Sequence, residues 1–167
     1  MDALREAVNC LPSDDVVAAL ESALHLKKIS PSQLDELMLT APLRLQPVMA
    51  LVTPGAQSGY ETKARLGFQR LGHTVEIQVR VPGVGHIDTL IDGVVNLEID
   101  GRETHAETFE EDRERDLGTE LAGIRSLRIP ATWVDTRWAE VVAAVERMVD
   151  GATSSRGARL GRLRKRR

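Results

Sequence analysis

Residues 86–100 constrain the fold more than any other part of the chain: His86-Ile87-Asp88-Thr89-Leu90-Ile91, then Asp92-Gly93, then Val94 through Asp100. Two β-prone runs around an Asp-Gly pair predict a hairpin, because Asp and Gly tolerate the positive φ of a tight connection. Register decides what that hairpin presents. A strict two-residue loop would pair Ile91 with Val94 and set Asp88 opposite Leu97, facing away from Glu98. A three-residue loop, with Gly93 left-handed as a bulge, pairs Leu90 with Val94 instead. In that arrangement Ile87, Thr89, Ile91, Val95, Leu97 and Ile99 form one apolar face, and Asp88, Glu98 and Asp100 line the other. A continuous apolar face fixes register when it is buried, so the second arrangement is expected.

The hairpin sits in a longer pattern. His73 to Val81 alternates, with Val75, Ile77, Val79 and Val81 on one face, and predicts a strand before the Pro82-Gly83-Val84-Gly85 turn. Upstream, Ser58 to Leu71 has helical spacing, with Ala64, Leu66, Phe68 and Leu71 among its apolar members. Downstream come a polar helix over 106–122, a short strand at 126–129 ended by Pro130, and a last helix over 135–149. That helix carries Trp138, Val141, Val142, Val145 and Val149 at helical spacing. The order α-β-β-β-α-β-α predicts an α/β layer fold. The first 52 residues read as helical. The expected pieces are Asp2–Cys10, a run capped by Ser13 with Val16, Val17, Leu20 and Leu24, and a third opened by Ser30-Pro31-Ser32 with Leu34, Leu37 and Met38. A short helix between Leu45 and Val52 completes them. This segment reads as a packing layer or an interaction surface.

Charge divides the chain unevenly. All 25 acidic residues and 15 of the 22 basic ones lie in 1–150, a charge of −10, whereas 151–167 holds seven Arg or Lys and no acid. A body this acidic repels phosphates unless cations intervene, and the basic end could supply local attraction to DNA. Composition alone favours a solvated, disordered tail there. Three parts are therefore expected: a helical segment 1–55, an α/β domain 56–150 and a basic disordered tail 151–167. The one cysteine, Cys10, excludes an internal disulfide and a thiolate zinc cluster, and suits a cytoplasmic protein. The longest apolar runs are five residues, against the roughly 20 that a spanning helix needs, so no membrane partner is expected.

Carboxylates are poor strand formers, and three of them in one hairpin call for a reason. Asp88, Glu98 and Asp100 would repel one another unless a cation or proton intervened. A hard cation such as Mg²⁺ or Mn²⁺ suits oxygen ligands and leaves room for water and a phosphate oxygen. Such a site could acidify a bound water and stabilise charge on a scissile phosphate. Three solvated carboxylates on an exposed sheet face are the plain alternative. His105, just past the strand end, could act as a general acid or base. Glu61 follows Ser58 at capping-box spacing, which accounts for it structurally. Asp112, Arg115 and Asp116 suit a solvated helix with internal ion pairs.

Taken in order, Ser58-x-x-Glu61, Val84-Gly85-x-x-Asp88, Leu97-Glu98-Ile99-Asp100-Gly101-Arg102-x-x-His105, Asp112-x-x-Arg115-Asp116 and Leu127-Arg128 resemble a known set. They are similar to a bacterial family of uncharacterised domains related to very-short-patch mismatch repair endonucleases, within the PD-(D/E)XK restriction-endonuclease-like superfamily. The resemblance covers residues 58–148. It implies a central mixed sheet flanked by helices and Mg²⁺-dependent hydrolysis of DNA phosphodiesters. By it, Asp88 is the principal metal ligand with Glu98 and Asp100 beside it, and Glu61 is an ancillary acid. His105 assists proton transfer, and Asp116 supports the site or its water.

The chain departs from that pattern in places. The superfamily's usual Lys, two residues after the acid of the third strand, is Asp100 here, so His105 or a metal must supply what a cation would. The repair enzymes' zinc ligands and intercalating aromatics have no counterpart, so mismatch recognition does not carry over. Related domains also occur behind a winged helix in abortive-infection antitoxins, and the N-terminal segment is too short and strand-poor to match one. The expected function is a metal-dependent DNA endonuclease or nickase of the repair or defence type. The rival is a catalytically lapsed, DNA-binding regulator or antitoxin-like module on the same scaffold. The expected partners are DNA and, through the N-terminal helices, another protein or a second copy of the chain.

Overall fold

The computed structural model describes residues 2–82, 84–101, 113 and 117–164, with side chains from 4 to 152 within those ranges. The chain divides into two compact units, Met1–Arg70 and Leu71–Arg167.

The first unit is helical: α1 (Asp2–Cys10), α2 (Ser13–His25), α3 (Pro31–Thr40), a 3₁₀ turn at Leu43–Leu45, α4 (Gln46–Met49) and α5 (Gly59–Arg70). Val8, Val16, Leu20, Ala23, Ile29, Leu34, Leu37 and Met49 form its core, an amphipathic stripe from each helix turned inward. The α3 start carries a full capping box: Ser30 Oγ accepts the Gln33 N–H, and Gln33 Oε1 accepts the Ser30 N–H. Ser13 does not cap α2. It is the first helical residue, behind Pro12 as N-cap, because the extended backbone of Pro12 already ends the preceding turn.

The boundary after residue 55 moves to Arg70, since α5 packs on α2. Asp14 and Asp15 in the first turn of α2 pair with Arg70 and Lys63 of α5. Between them lies a buried pair, Arg65 to Glu21 at 2.6 Å. Thr62 Oγ1 and the Thr53 N–H also donate to Glu21, each at 2.6 Å, and Arg65 reaches the Leu51 carbonyl at 3.2 Å. The network ties two helices and the preceding connection through one carboxylate.

The second unit is mixed α/β. Strands β1 (Val75–Val81), β2 (Gly85–Ile91), β3 (Val95–Asp100) and β4 (Arg125–Pro130) form one sheet in the order β1-β2-β3-β4. The first three are antiparallel, and β3 pairs with β4 in parallel, Glu98 beside Arg128. A parallel neighbour needs a crossover, and residues 117–121 are helical within it. α6 (Thr132–Thr136) and α7 (Trp138–Arg164) follow. Ile87, Ile91, Val95, Leu97, Ile129, Val141 and Val145 are buried. Across the start of α7, Arg137 pairs with Glu140, which lowers the Glu140 carboxyl below its ordinary pKa, and stacks on Trp133.

The last helix does not end near Val149. Its backbone stays helical to Arg164, so 151–164 is helix where a disordered tail is expected; no proline follows Pro130 to interrupt it. Among the described residues, no helix is long and apolar enough to cross a membrane.

Candidate active site

The site is built from the hairpin turn outward. Asp92 (φ 51°) and Gly93 (φ 66°) are both left-handed, and Ile91 C=O accepts the Val94 N–H at 3.0 Å. These are the features of a type I′ turn. Asp92 also anchors the start of β1. Its N–H donates to Thr74 C=O, its Oδ1 accepts the Thr74 N–H, and its Oδ2 lies 2.7 Å from His73 Nδ1.

The ladder then pairs Ile91 with Val95 and Leu90 with Asn96, so the expected Leu90–Val94 pairing is corrected by one pair. The connection is three residues long, but Val94 is the extra one. Its carbonyl is taken by the Arg125 N–H of β4 at 2.8 Å, a bond that the hairpin's own sequence does not reveal. The shift preserves parity. By alternation from these two pairs, the even-numbered residues of β2 and β3 share a face, so Asp88, Asn96, Glu98 and Asp100 lie on the same side of the sheet. That face is not wholly polar or open, since Leu90 and Asn96 on it are buried and Val95 through Glu98 are all buried. β3 is an inner strand covered on both sides.

Glu98, 9% exposed, is the most enclosed of the three carboxylates. Its Oε2 accepts Arg128 Nε at 2.8 Å and Nη2 at 2.5 Å, and its Oε1 accepts Asn96 Nδ2 at 2.9 Å. Arg128 Nε also lies 3.8 Å from Asp100 Oδ2, so one guanidinium serves both carboxylates. The Arg128 side chain is 52% exposed although its guanidinium lies against both acids. Asn96 is fully buried; Nδ2 lies 3.3 Å from Ser126 Oγ, and among the described residues Oδ1 has no hydrogen-bond partner.

Asp88 is half-buried, and its Oδ1 accepts Gln78 Nε2 at 3.2 Å. Gln78 holds φ 52° in mid-strand, between the regular pairs Ile77–Thr89 and Val79–Ile87. A non-glycine left-handed residue inside a strand carries strain of about 1–2 kcal/mol. Here it falls beside Asp88.

Glu61 belongs to the helical unit, where Oε2 accepts the Gln57 N–H at 2.9 Å and its own N–H donates to Ser58 Oγ at 3.2 Å. His105 and Asp116, with Asp112 and Arg115, lie outside the described residues. Among the described residues, no three His, Cys, Asp or Glu side chains converge as a ready-made metal donor set.

In the sequence Arg128 stands out only within the Leu127-Arg128 motif, with no role of its own, and neither Asn96 nor Gln78 has one. An amide among the apolar residues of β3 is a readable signal for Asn96. Arg128 becomes readable only once β4 is set beside β3 in register, and nothing local in β1 marks Gln78. No protein-family profile, curated protein or solved structure matches this chain.

Proposed function

We propose that the sheet unit is a restriction-endonuclease-like domain, related to the very-short-patch repair endonucleases, that hydrolyses DNA phosphodiester bonds with Mg²⁺ or Mn²⁺. On this reading it works in the cytoplasm, in repair or defence, as an endonuclease or nickase. The observation that carries the reading is the placement of Asp88, Glu98 and Asp100 on one face with Arg128 against two of them.

Oxygen-only donors suit a hard divalent cation, and the buried, unpartnered Asn96 Oδ1 adds another oxygen to that face. Asp88, Glu98 and Asp100 would hold the ion, with Arg128 giving up its place beside Glu98. When bound, the cation would polarise a phosphoryl oxygen and acidify a water. The chain's own residues do the rest. Gln78 orients Asp88 and Asn96 orients Glu98. Arg128 turns its planar fork of donors to the phosphodiester charge. His105 carries the proton transfer, Asp116 supports it, and the basic 151–167 segment adds phosphate contacts.

One observation favours a second reading. Arg128 already compensates Glu98, so the scaffold could serve as a DNA-binding regulatory module without turnover. Incubating the protein with supercoiled plasmid, with and without Mg²⁺ or Mn²⁺, separates the two. The endonuclease reading expects divalent-dependent nicking that slows by about 10²–10⁴-fold in His105→Ala. The regulatory reading expects DNA retention without cleavage.

A further inference from the structure

A groove of ≈680 Å³ opens in the helical unit where α2 hands over to α3. Its apolar lining includes Leu24, Ile29 and Leu34, and its size falls in the range of built recognition pockets, about 300–1,000 Å³. Lys27 and Lys28 stand at its lip, and Asp35 is the single acid among the lining residues.

Those two lysines differ from the other cations of the unit. Arg5 pairs with Glu36, Lys63 with Asp15, Arg65 with Glu21 and Arg70 with Asp14, and Arg44 donates to Asn9. Lys27 and Lys28 alone make no ion pair or side-chain hydrogen bond among the described residues. Lys27 also holds φ 52° as α2 ends, where the Lys28 N–H closes back on Ala23 C=O at 2.8 Å. Glycine is the usual residue for such a helix end, so a lysine there is conformationally unfavourable.

We propose that the groove docks an acidic peptide segment of a partner protein. One large apolar side chain packs against Leu24, Ile29 and Leu34, and flanking Asp or Glu residues meet Lys27 and Lys28. Charge complementarity selects the acidic partner, because two adjacent cations await carboxylates while every other cation of the unit is engaged. The apolar lining selects a side chain over a bare phosphate. The inference does not depend on the nuclease reading.

The test is fluorescence anisotropy of the whole protein with a labelled Glu-Glu-Leu-Phe-Glu-Asp peptide. Saturable binding below about 1 mM is expected, and Lys27→Glu with Lys28→Glu weakens it about ten-fold. Both lysines are exposed, so the double variant keeps its fold, which circular dichroism verifies. Lys27→Gly removes one charge and relieves the left-handed strain, so it binds more weakly while unfolding at a higher temperature. The proposal is overturned if the peptide does not bind or the double variant binds as well as the wild type. Equal binding by a Gln-for-Glu peptide, or displacement by duplex DNA or octanoate in preference to the unlabelled acidic peptide, also overturns it.

Discussion

Arg128→Ala removes the guanidinium that bridges Glu98 and Asp100. Glu98 Oε2 loses two charge-assisted hydrogen bonds, while the Asn96 bond on its other oxygen stays. Breaking a fully buried ion pair from one side costs about 3–5 kcal/mol, because the remaining charge is stranded. Here half of the Arg128 side chain is in solvent, so water recovers much of that, and roughly 1–2 kcal/mol is the reasoned loss. For a unit of about 100 residues, that lowers Tm by roughly 4–16 °C in calorimetry. Arg128→Lys keeps the charge but not the two-point geometry, and should fall between wild type and alanine. Mg²⁺ at millimolar concentration should restore more of the loss in Arg128→Ala than it adds to wild type, since guanidinium and divalent ion would share the same carboxylates. A Tm shift under about 1 °C in Arg128→Ala, from a pair assigned more than 1 kcal/mol, would refute the energetic argument.

Gln78→Gly should raise stability or leave it unchanged, because glycine relieves a left-handed φ worth about 1–2 kcal/mol while losing one bond to Asp88; Gln78→Val should destabilise, and denaturant unfolding checks both. Arg65→Met strands the buried Glu21 carboxylate and should cost about 3–5 kcal/mol, whereas Arg65→Met with Glu21→Leu should recover most of it in the same assay. Deleting 151–167 should weaken binding to duplex DNA and flatten its salt dependence, whose slope is roughly −0.9 per neutralised phosphate; an unchanged slope would remove the segment from the binding account.

The four strands of the sheet were legible because alternation and turn chemistry are local. Val75 to Val81, the Asp92-Gly93 turn and the short strand before Pro130 could be read from neighbouring residues alone. Register was legible only to its parity. The left-handed turn residues are local, but the extra Val94 is held by Arg125, a partner 31 positions away. The helical spacing of α5 was equally plain, yet nothing in it tells which layer it joins. Asp14, Asp15 and Glu21 decide that, across more than 40 residues. Leu71, read as an apolar member of that helix, is exposed. The apolar stripe of the last helix stops at Val149 and Gly151 follows it as a local stop signal, yet the helix runs through that glycine to Arg164. Carboxylates in strands were visible as anomalies, whereas their guanidinium partner arrives on a parallel strand after a crossover, beyond any local pattern.

The proposed role of Asp88 and its neighbours, holding a divalent cation for phosphodiester hydrolysis, is decided by single-turnover plasmid nicking by wild type and Asp88→Asn under Mg²⁺ and Mn²⁺. The amide keeps the size of the side chain and can still accept from Gln78, but it lacks the anionic oxygen, so the substitution isolates ligation from packing. Divalent-dependent nicking is expected from wild type and none from Asp88→Asn, with unchanged circular dichroism and calorimetric metal binding lost in the variant. Nicking that persists in Asp88→Asn, or a wild type that binds neither cation and leaves the plasmid intact, would contradict it.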